Sequence, residues 1–187
     1  MTPRMIAAAL LVAATAAAAL AQHRPGPAPA QPYAGQQARA VAALSQEELQ
    51  GFLEGRGMGL ARPAELNGYP GPMHVLELAR ELGLTAEQRV AVEAAFRRMK
   101  ARAQDLGRRY VEAERALDAA FRSGAADAAT VAARVAEANR LLGEVRLAHL
   151  DAHLEITPLL TAHQRTRYAE LRGYAQGGHA PPAHHRQ

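Results

Sequence analysis

Two long stretches of this chain repeat apolar residues at alternating steps of four and three, with only a short break between them. The first runs from Ala86 to about Arg122 and the second from about Ala128 to Ile156. A heptad pattern held this long is typical of helices that pack along a narrow apolar seam. Because Ser123–Asp127 is too short to leave the two helices apart, the sequence predicts an all-α fold built on a long antiparallel helical hairpin.

A five-residue motif occurs twice, at Leu84–Gln88 and again at Leu160–Gln164. Each copy places a threonine where it can cap a helix N-terminus, followed by a glutamine that can accept a hydrogen bond from the cap N–H. The motif therefore predicts a capping box at the start of the first long helix and another at the start of a last helix, which should reach about Tyr174. The motif residues are Leu84, Thr85, Gln88, Leu160, Thr161 and Gln164.

Short helices are predicted to flank the hairpin. One is opened by a further capping box at Ser45–Glu48 and should run to about Leu53. The glycine-rich segment 55–59 has no preceding strand and is predicted to be a flexible connector. A second short helix is predicted from Met73 to Leu82, after the turn-rich segment 67–72.

The N-terminal residues have the layout of a secretory signal peptide. Arg4 precedes an apolar run from Met5 to Leu20, and Ala19-Leu20-Ala21 matches a cleavage site. The run is alanine-rich and short for a membrane span, so we expect an exported protein that is not inserted in the membrane after cleavage. The predicted organisation is a signal peptide at 1–21, a disordered Pro/Gln/Ala-rich leader at 22–44, a helical domain at 45–176 and a disordered His-rich tail at 177–187.

The composition excludes several classes of function. The absence of cysteine removes disulfides, thiolate metal sites and thiol nucleophiles, so a metal site would use His, Asp, Glu or Met. A formal net charge of +4 is too small an excess for a nucleic-acid-binding surface. No pattern typical of a nucleophile with its base is present, and no strand is predicted to carry one. We therefore expect no enzymatic activity and no nucleic-acid partner.

Two histidines, His149 and His153, lie one helical turn apart on the seam side of the second long helix. Imidazoles at this spacing form a simple two-ligand platform for a transition metal. The pair predicts a divalent metal cofactor, namely Ni²⁺, Co²⁺, Zn²⁺ or Cu²⁺. The alternative for a histidine at a seam position is a buried core residue with no ligand role. Because the neutral imidazole is the ligand, metal affinity should fall as the pH drops below about 6.5.

Further ligands are predicted on the facing helix. If the turn of the hairpin is centred near residue 125, the two histidines lie level with residues 97–101. Met99 then lies between the two imidazoles, and Glu93 lies one turn beyond them. The alternatives are core packing for Met99 and a solvent-exposed helix edge for Glu93.

The short helix before the hairpin offers one more pair of candidate ligands. His74 and Glu77 are spaced to share one face of this helix, which has to pack near the hairpin. His74 is predicted as a ligand, and Glu77, like Met99, is a secondary candidate. Outlying candidates are Glu65, Glu81 and His163, and the tail histidines His179, His184 and His185 would bind metal only loosely.

With its export signal, long hairpin and two Leu-Thr-x-x-Gln motifs, the chain resembles the LTxxQ-motif proteins of the bacterial periplasm. These are the Spy/CpxP family of refolding chaperones and the related periplasmic heavy-metal sensors of the CnrX type. The resemblance extends over about Leu66–Tyr174. It implies a periplasmic location and an elongated, hook-like homodimer, which would cover the apolar surface that a single hairpin leaves exposed.

The heavy-metal sensors take ligands from a first helix, from a glutamate early in the next helix and from a histidine pair or a histidine–methionine pair late in the third. By order and spacing, the resemblance assigns these roles to His74, Glu93, His149 and His153. This chain departs from the pattern because its first short helix has one histidine where the sensors have two. The coordination number is therefore left open by the sequence.

The resemblance implies a metal-responsive stress protein in which a bound ion ties the short helix to the hairpin and changes a partner-binding face. The alternatives are an ATP-independent holdase that binds unfolded periplasmic proteins, and a helical adaptor that regulates a membrane-bound envelope-stress sensor. A basic band on the first long helix would bind clients in a holdase, and would otherwise be a solvent-exposed face with ion pairs. The residues of the basic band are Arg97, Arg98, Lys100, Arg102, Arg108 and Arg109.

Overall fold

The structure, a computed structural model, describes residues 31–174. The predicted signal peptide, the first part of the leader and the His-rich tail lie outside the described residues. The chain divides into two compact units, Met1–Gln37 and Ala38–Gln187. Of the first unit only residues 31–37 are described, and a 3₁₀ helix at Gln36–Ala38 lies at the boundary.

All regular secondary structure in the described part of the second unit is helical. Its helices are α1 (Gln46–Glu54), α2 (Arg62–Glu65), α3 (Pro72–Glu77), α4 (Ala86–Arg122), α5 (Ala128–Ile156) and α6 (Ala162–Leu171), with a 3₁₀ helix at Thr157–Leu159. Residues 31–174 contain no strand. The predicted mostly helical fold with a pair of long helices is therefore confirmed. Every helix within this range is too short or too polar to be a candidate membrane span.

The two long helices, α4 and α5, pack against each other. Arg98 of α4 pairs with Glu155 of α5, and Arg102 Nη1 lies 3.1 Å from Asp151 Oδ2. Rising residue numbers on α4 therefore match falling numbers on α5, so the two helices run in opposite directions. Both ion pairs are solvent-exposed, and they indicate the register of the helices more than they stabilise it.

Both copies of the repeated motif form capping boxes. Thr85 Oγ1 accepts from the Gln88 N–H at 3.1 Å, and Gln88 Oε1 accepts from the Thr85 N–H at 3.0 Å. Thr161 and Gln164 form the same box at the start of α6, with distances of 3.2 and 2.9 Å. Each box satisfies backbone donors that a helix N-terminus would otherwise leave unpaired.

The two glutamines of the motif also bind each other. Gln88 Nε2 donates to Gln164 Oε1, and Gln164 Nε2 donates to Gln88 Oε1, both at 2.9 Å. The amides also donate to backbone carbonyls, Gln88 to Leu159 at 2.8 Å and Gln164 to Gly83 at 3.4 Å. Because both oxygens and both nitrogens are used, a closed polar network holds the start of α6 against the start of α4.

Two apolar clusters form the core at different levels of the long pair. The α1 cluster joins α1 to the parts of α4 and α5 nearer their connection, and consists of Val41, Leu44, Leu49, Phe52, Leu106, Tyr110, Val111, Ala138, Leu141, Val145 and Ala148. The α6 cluster joins α3 and α6 to the other end of the pair, and consists of Val75, Leu82, Val92, Ala95, Ile156, Leu160 and Tyr168.

The structure departs from the sequence predictions before α4. The predicted disorder of the leader does not extend to residue 44, because Val41 and Leu44 are buried in the α1 cluster. Helix α2 is an element that the sequence did not predict. Helix α3 ends at Glu77 and not at Leu82, because residues 78–83 turn and bury Leu82 in the α6 cluster.

Gly107 allows α1 to approach α4 closely. A Cβ at this position would lie 2.1 Å from the carbonyl oxygen of Phe52. We expect Gly107→Ala to lower the free energy of unfolding by about 1–3 kcal/mol, because the two helices would have to separate. Urea denaturation measures this change.

The matched control is Gly143→Ala on α5, where nothing lies within 4 Å of the added Cβ. Removal of this helical glycine should stabilise the protein by about 0.5–1 kcal/mol. Equal effects of the two substitutions would contradict the proposed steric role of Gly107.

The amide pair predicts a specific effect of Gln164→Glu. The carboxylate can still accept from the Thr161 N–H and keep the capping box. It cannot donate to Gln88 or to the Gly83 carbonyl, so we expect a loss of about 1–3 kcal/mol in the free energy of unfolding. The control is Gln46→Glu at the exposed start of α1, where a carboxylate is neutral or favourable. A similar small effect of both substitutions would show that the amide pair does not stabilise the fold.

Candidate functional site

A cavity of about 910 Å³ lies between the two core clusters, along the side of α4. On α4 it is bounded by residues 96–100, which lie between Ala95 of the α6 cluster and Leu106 of the α1 cluster. Helices α4 and α5 form one wall, and the segment from α1 to α3 forms the other. The cavity brings together three of the predicted ligands, His74, His149 and His153.

His149 is buried on α5, with 4% of its surface exposed. Its Nε2 atom has no hydrogen-bond partner. The backbone of the α1–α2 connector passes close to the ring, since a Cβ on Gly57 would lie 3.8 Å from His149 Nδ1. Burial, and then the charge of His153, lower the pKa of His149. Both effects favour the neutral imidazole, which is the form that binds metal.

His153 lies one turn further along α5 and is also buried. Its Nδ1 lies 2.7 Å from the carbonyl oxygen of Tyr69. A carbonyl oxygen only accepts, so Nδ1 carries the hydrogen, and in the neutral ring the lone pair is therefore on Nε2. Metal-binding histidines are commonly oriented by this type of contact. Gly71 leaves space for the ring, because a Cβ there would lie 2.9 Å from His153 Cε1.

His74 reaches the cavity from α3. Its Nδ1 lies 2.9 Å from Glu77 Oε2, and the side chain is partly exposed. Glu77, a secondary candidate ligand, is not part of the cavity lining. Its contact with His74 orients the ring from outside, as a carboxylate does in many metal sites.

Glu93 is not brought together with the histidines. The ion pairs between the long helices place His153 opposite Lys100 and His149 opposite Gln104, three residues further along α4 than predicted. Glu93 is therefore displaced toward the α6 end of the pair and does not line the cavity. Its Oε1 lies 2.9 Å from Arg89 Nε on the same helix.

Glu65, an outlying candidate from the sequence, is the carboxylate that the fold places beside the histidine pair. Its Oε2 lies 3.9 Å from His153 Nδ1. Its oxygens accept from the hydroxyls of Tyr168 and Tyr174 and from the N–H of Gly71. Burial, and then the hydrogen bond with Glu65, raise the pKa of Tyr168. Glu65 is thus held by the contacts that join α2 to α6.

Methionine sulfur is also present in the lining. Met58, Met73 and Met99 all line the cavity, although only Met99 is a candidate from the sequence. Met58 lies in the connector 55–59 with a positive φ of 42°. The other two come from α3 and α4.

The histidines do not form a complete site with oxygen ligands. In the part of the chain that the structure describes, no three side chains of His, Asp and Glu are grouped so that they could hold a metal ion. The buried, unpartnered Nε2 of His149 fits a metal ion, as does the orientation of His153. A four-coordinate site would need further donors, or a movement of His74 toward α5.

The basic band of α4 is largely paired with carboxylates. Arg98 and Arg102 pair with α5, and Arg108 and Arg109 lie 3.3 and 4.0 Å from Asp105. These contacts favour the interpretation of the band as a solvent-exposed face with ion pairs over that of a client-binding surface.

No protein-family model, no curated protein and no solved structure matches this chain. Function is therefore inferred from the cavity, from the residues that line it and from the sequence motifs.

Proposed function

We propose that this chain is an exported, periplasmic protein that binds a transition-metal ion in the cavity and responds to it by a change in the arrangement of its short helices. The main support is that three candidate ligands predicted from the sequence line one cavity, although they come from two separate helices. The buried Nε2 of His149, which has no partner within the protein, adds to this support.

The proposed ligands are His149 and His153 on α5 together with His74 on α3. These residues would hold the ion through lone pairs of the imidazole nitrogens, and the ion would supply a Lewis acid shared by two helices. The Tyr69 carbonyl fixes the ring of His153 in the tautomer that leaves Nε2 available. Among the carboxylates, Glu65 replaces Glu93 as the acidic neighbour of the pair.

The response follows from linkage between metal binding and the position of α3. A ligand that binds one arrangement of helices better than another shifts the population toward it. At a free concentration of 100 times Kd, such binding stabilises the competent arrangement by about 2.7 kcal/mol. The proposed ion would draw His74 toward α5 and so alter the surface formed by α3 and its neighbours.

Calorimetric titration with Ni²⁺, Co²⁺, Zn²⁺ and Cu²⁺ tests this proposal. We expect the double variant His149→Ala/His153→Ala to lose affinity by at least about 100-fold, because it removes both imidazoles of α5. The matched control is His163→Ala, which removes an exposed histidine that does not line the cavity.

All titrations should be done in a chain whose tail histidines, His179, His184 and His185, are replaced by alanine, so that weak binding by the tail is not counted. Unchanged affinity in the double variant, or no binding by the parent chain, would overturn the proposal.

We further propose that the chain forms a homodimer. Leu147, Leu150 and Leu154 lie on the side of α5 that faces away from the core, and Leu147 and Leu154 are exposed. They recur at steps of four and three, as in a helix that packs against another helix. We propose that the same surface of a second copy of the chain packs against it.

The alternative function, an ATP-independent holdase, is favoured only by the same exposed leucines. In that case Leu147→Lys/Leu154→Lys should abolish suppression of aggregation of a denatured client protein, whether or not metal is present. The control Val90→Lys changes an exposed apolar residue on α4, at 64% exposure, and should have no effect.

Measurement of the mass by sedimentation separates the two roles of this surface. If the chain is a homodimer and not a holdase, the leucine variant becomes monomeric and neither chain suppresses aggregation. If the chain is not a dimer, does not suppress aggregation and binds no metal, the third hypothesis remains, a helical adaptor for an envelope-stress sensor.

A further inference from the structure

The cavity collects the sulfur and imidazole groups of the described chain. All three methionines of residues 31–174, Met58, Met73 and Met99, line it, and so do three of the four histidines of this range. The methionines come from the α1–α2 connector, from α3 and from α4, which are far apart in sequence. Their meeting in one cavity is therefore a product of the fold and not of a local sequence pattern.

Core packing accounts for two of these methionines only in part, although the sulfur of Met58 packs on α1, where a Cβ on Gly51 would lie 2.0 Å from it. Met58 is 40% exposed and Met73 is 46% exposed, so each leaves a large part of its apolar surface in contact with water. The burial of a methionine side chain is favourable by about 1.5–3 kcal/mol, and these two residues forgo much of that gain. Met58 also occupies a backbone conformation that residues other than glycine rarely adopt.

The carboxylates near the cavity are largely engaged by other groups. Glu65 accepts from two tyrosine hydroxyls and the Gly71 N–H, and also lies 3.5 Å from Arg172 Nε. Glu48 accepts from Ser45 in the capping box of α1. Glu47 remains, but it is exposed.

The charged side chains of the lining are balanced in sign. Arg56, Arg62 and Lys100 line the cavity together with Glu47, Glu48 and Glu65. The class of metal is therefore decided by the donors that remain available, thioether sulfur and imidazole nitrogen. Of these two, thioether sulfur is the ligand that selects soft metal ions.

We propose that the cavity selects a soft monovalent cation, Cu(I) or Ag(I), through the sulfur atoms of Met58, Met73 and Met99 together with the imidazoles of His149 and His153. Thioether ligands select soft ions of this class. This inference rests on the proposed metal-binding function and specifies the class of metal. The sulfur atoms supply the donors that His, Asp and Glu side chains do not supply together in residues 31–174.

The test compares metals on the processed chain, residues 22–187, with the tail histidines replaced by alanine. Cu(I) affinity is measured without oxygen by competition with a chromogenic Cu(I) chelator, and Zn²⁺ and Ni²⁺ affinities by calorimetry. The sulfur atoms are removed by Met58→Leu/Met73→Leu/Met99→Leu, which nearly conserves volume. The control is His163→Ala.

We expect the triple methionine variant to lose Cu(I) affinity by at least about tenfold while its Zn²⁺ and Ni²⁺ affinities stay within experimental error. Equal loss for all metals, or unchanged Cu(I) affinity, would overturn the selection of a monovalent ion. If Cu(I) affinity is unchanged in the methionine variant but lost in His149→Ala/His153→Ala, the inference fails while the proposed function stands. If no metal binds to the parent chain, both fail.

A second measurement does not depend on the folding of the variant. In the unsubstituted chain with ¹³C-labelled methionine methyl groups, addition of Ag(I) should shift the resonances of Met58, Met73 and Met99. The shifts should saturate at one equivalent. Unshifted methyl resonances would overturn the inference, whatever the variants do.

Discussion

The fold depends on the reciprocal hydrogen bonds between the side-chain amides of Gln88 and Gln164, which are 76 residues apart. The same glutamines complete the capping boxes of α4 and α6, so helix initiation and tertiary contact share the same atoms. A polar network of this kind is favourable only when every donor and acceptor is used. Here the remaining hydrogens reach the carbonyls of Leu159 and Gly83, which also fixes the chain on either side of the pair.

The cavity lies between the two apolar clusters, and its lining combines apolar side chains with histidines, methionines and charged groups. The long helices contribute a wall with a fixed register, on which His149 and His153 are buried at adjacent turns. The opposite wall comes from short elements joined by glycine-containing turns. Gly71 lets this wall approach His153, since a Cβ at this position would lie 2.9 Å from the Cε1 atom of the ring. The chemistry of the site therefore depends on backbone positions as much as on the ligands themselves.

The helices whose extent is set by apolar periodicity and by capping can be predicted from the sequence. The heptad pattern predicts the extents of α4 and α5, and Thr85 predicts the start of α4. Both signals are readable from the sequence because periodicity and capping are properties of neighbouring residues. The length of the break between these helices does not determine their register, so Glu93 is predicted at the histidines and lies elsewhere. The importance of Glu65 depends on contacts with α6, more than 100 residues later in the chain. The position of Met58 in a loop likewise has no periodicity that would predict it.

The contacts of α6 have a consequence for the order in which the molecule is completed during synthesis. Residues 46–156, which include helices α1 to α5, leave the ribosome before α6 does. Until α6 follows, the side chain of Gln88 lacks its counterpart and Glu65 lacks both tyrosine hydroxyls. Domains fold as their residues emerge, so the growing chain can form the long helices while the cavity stays unfinished. A product that stops short of Tyr168 therefore lacks the contacts that hold Glu65 beside His153 and that pair Gln88 with Gln164.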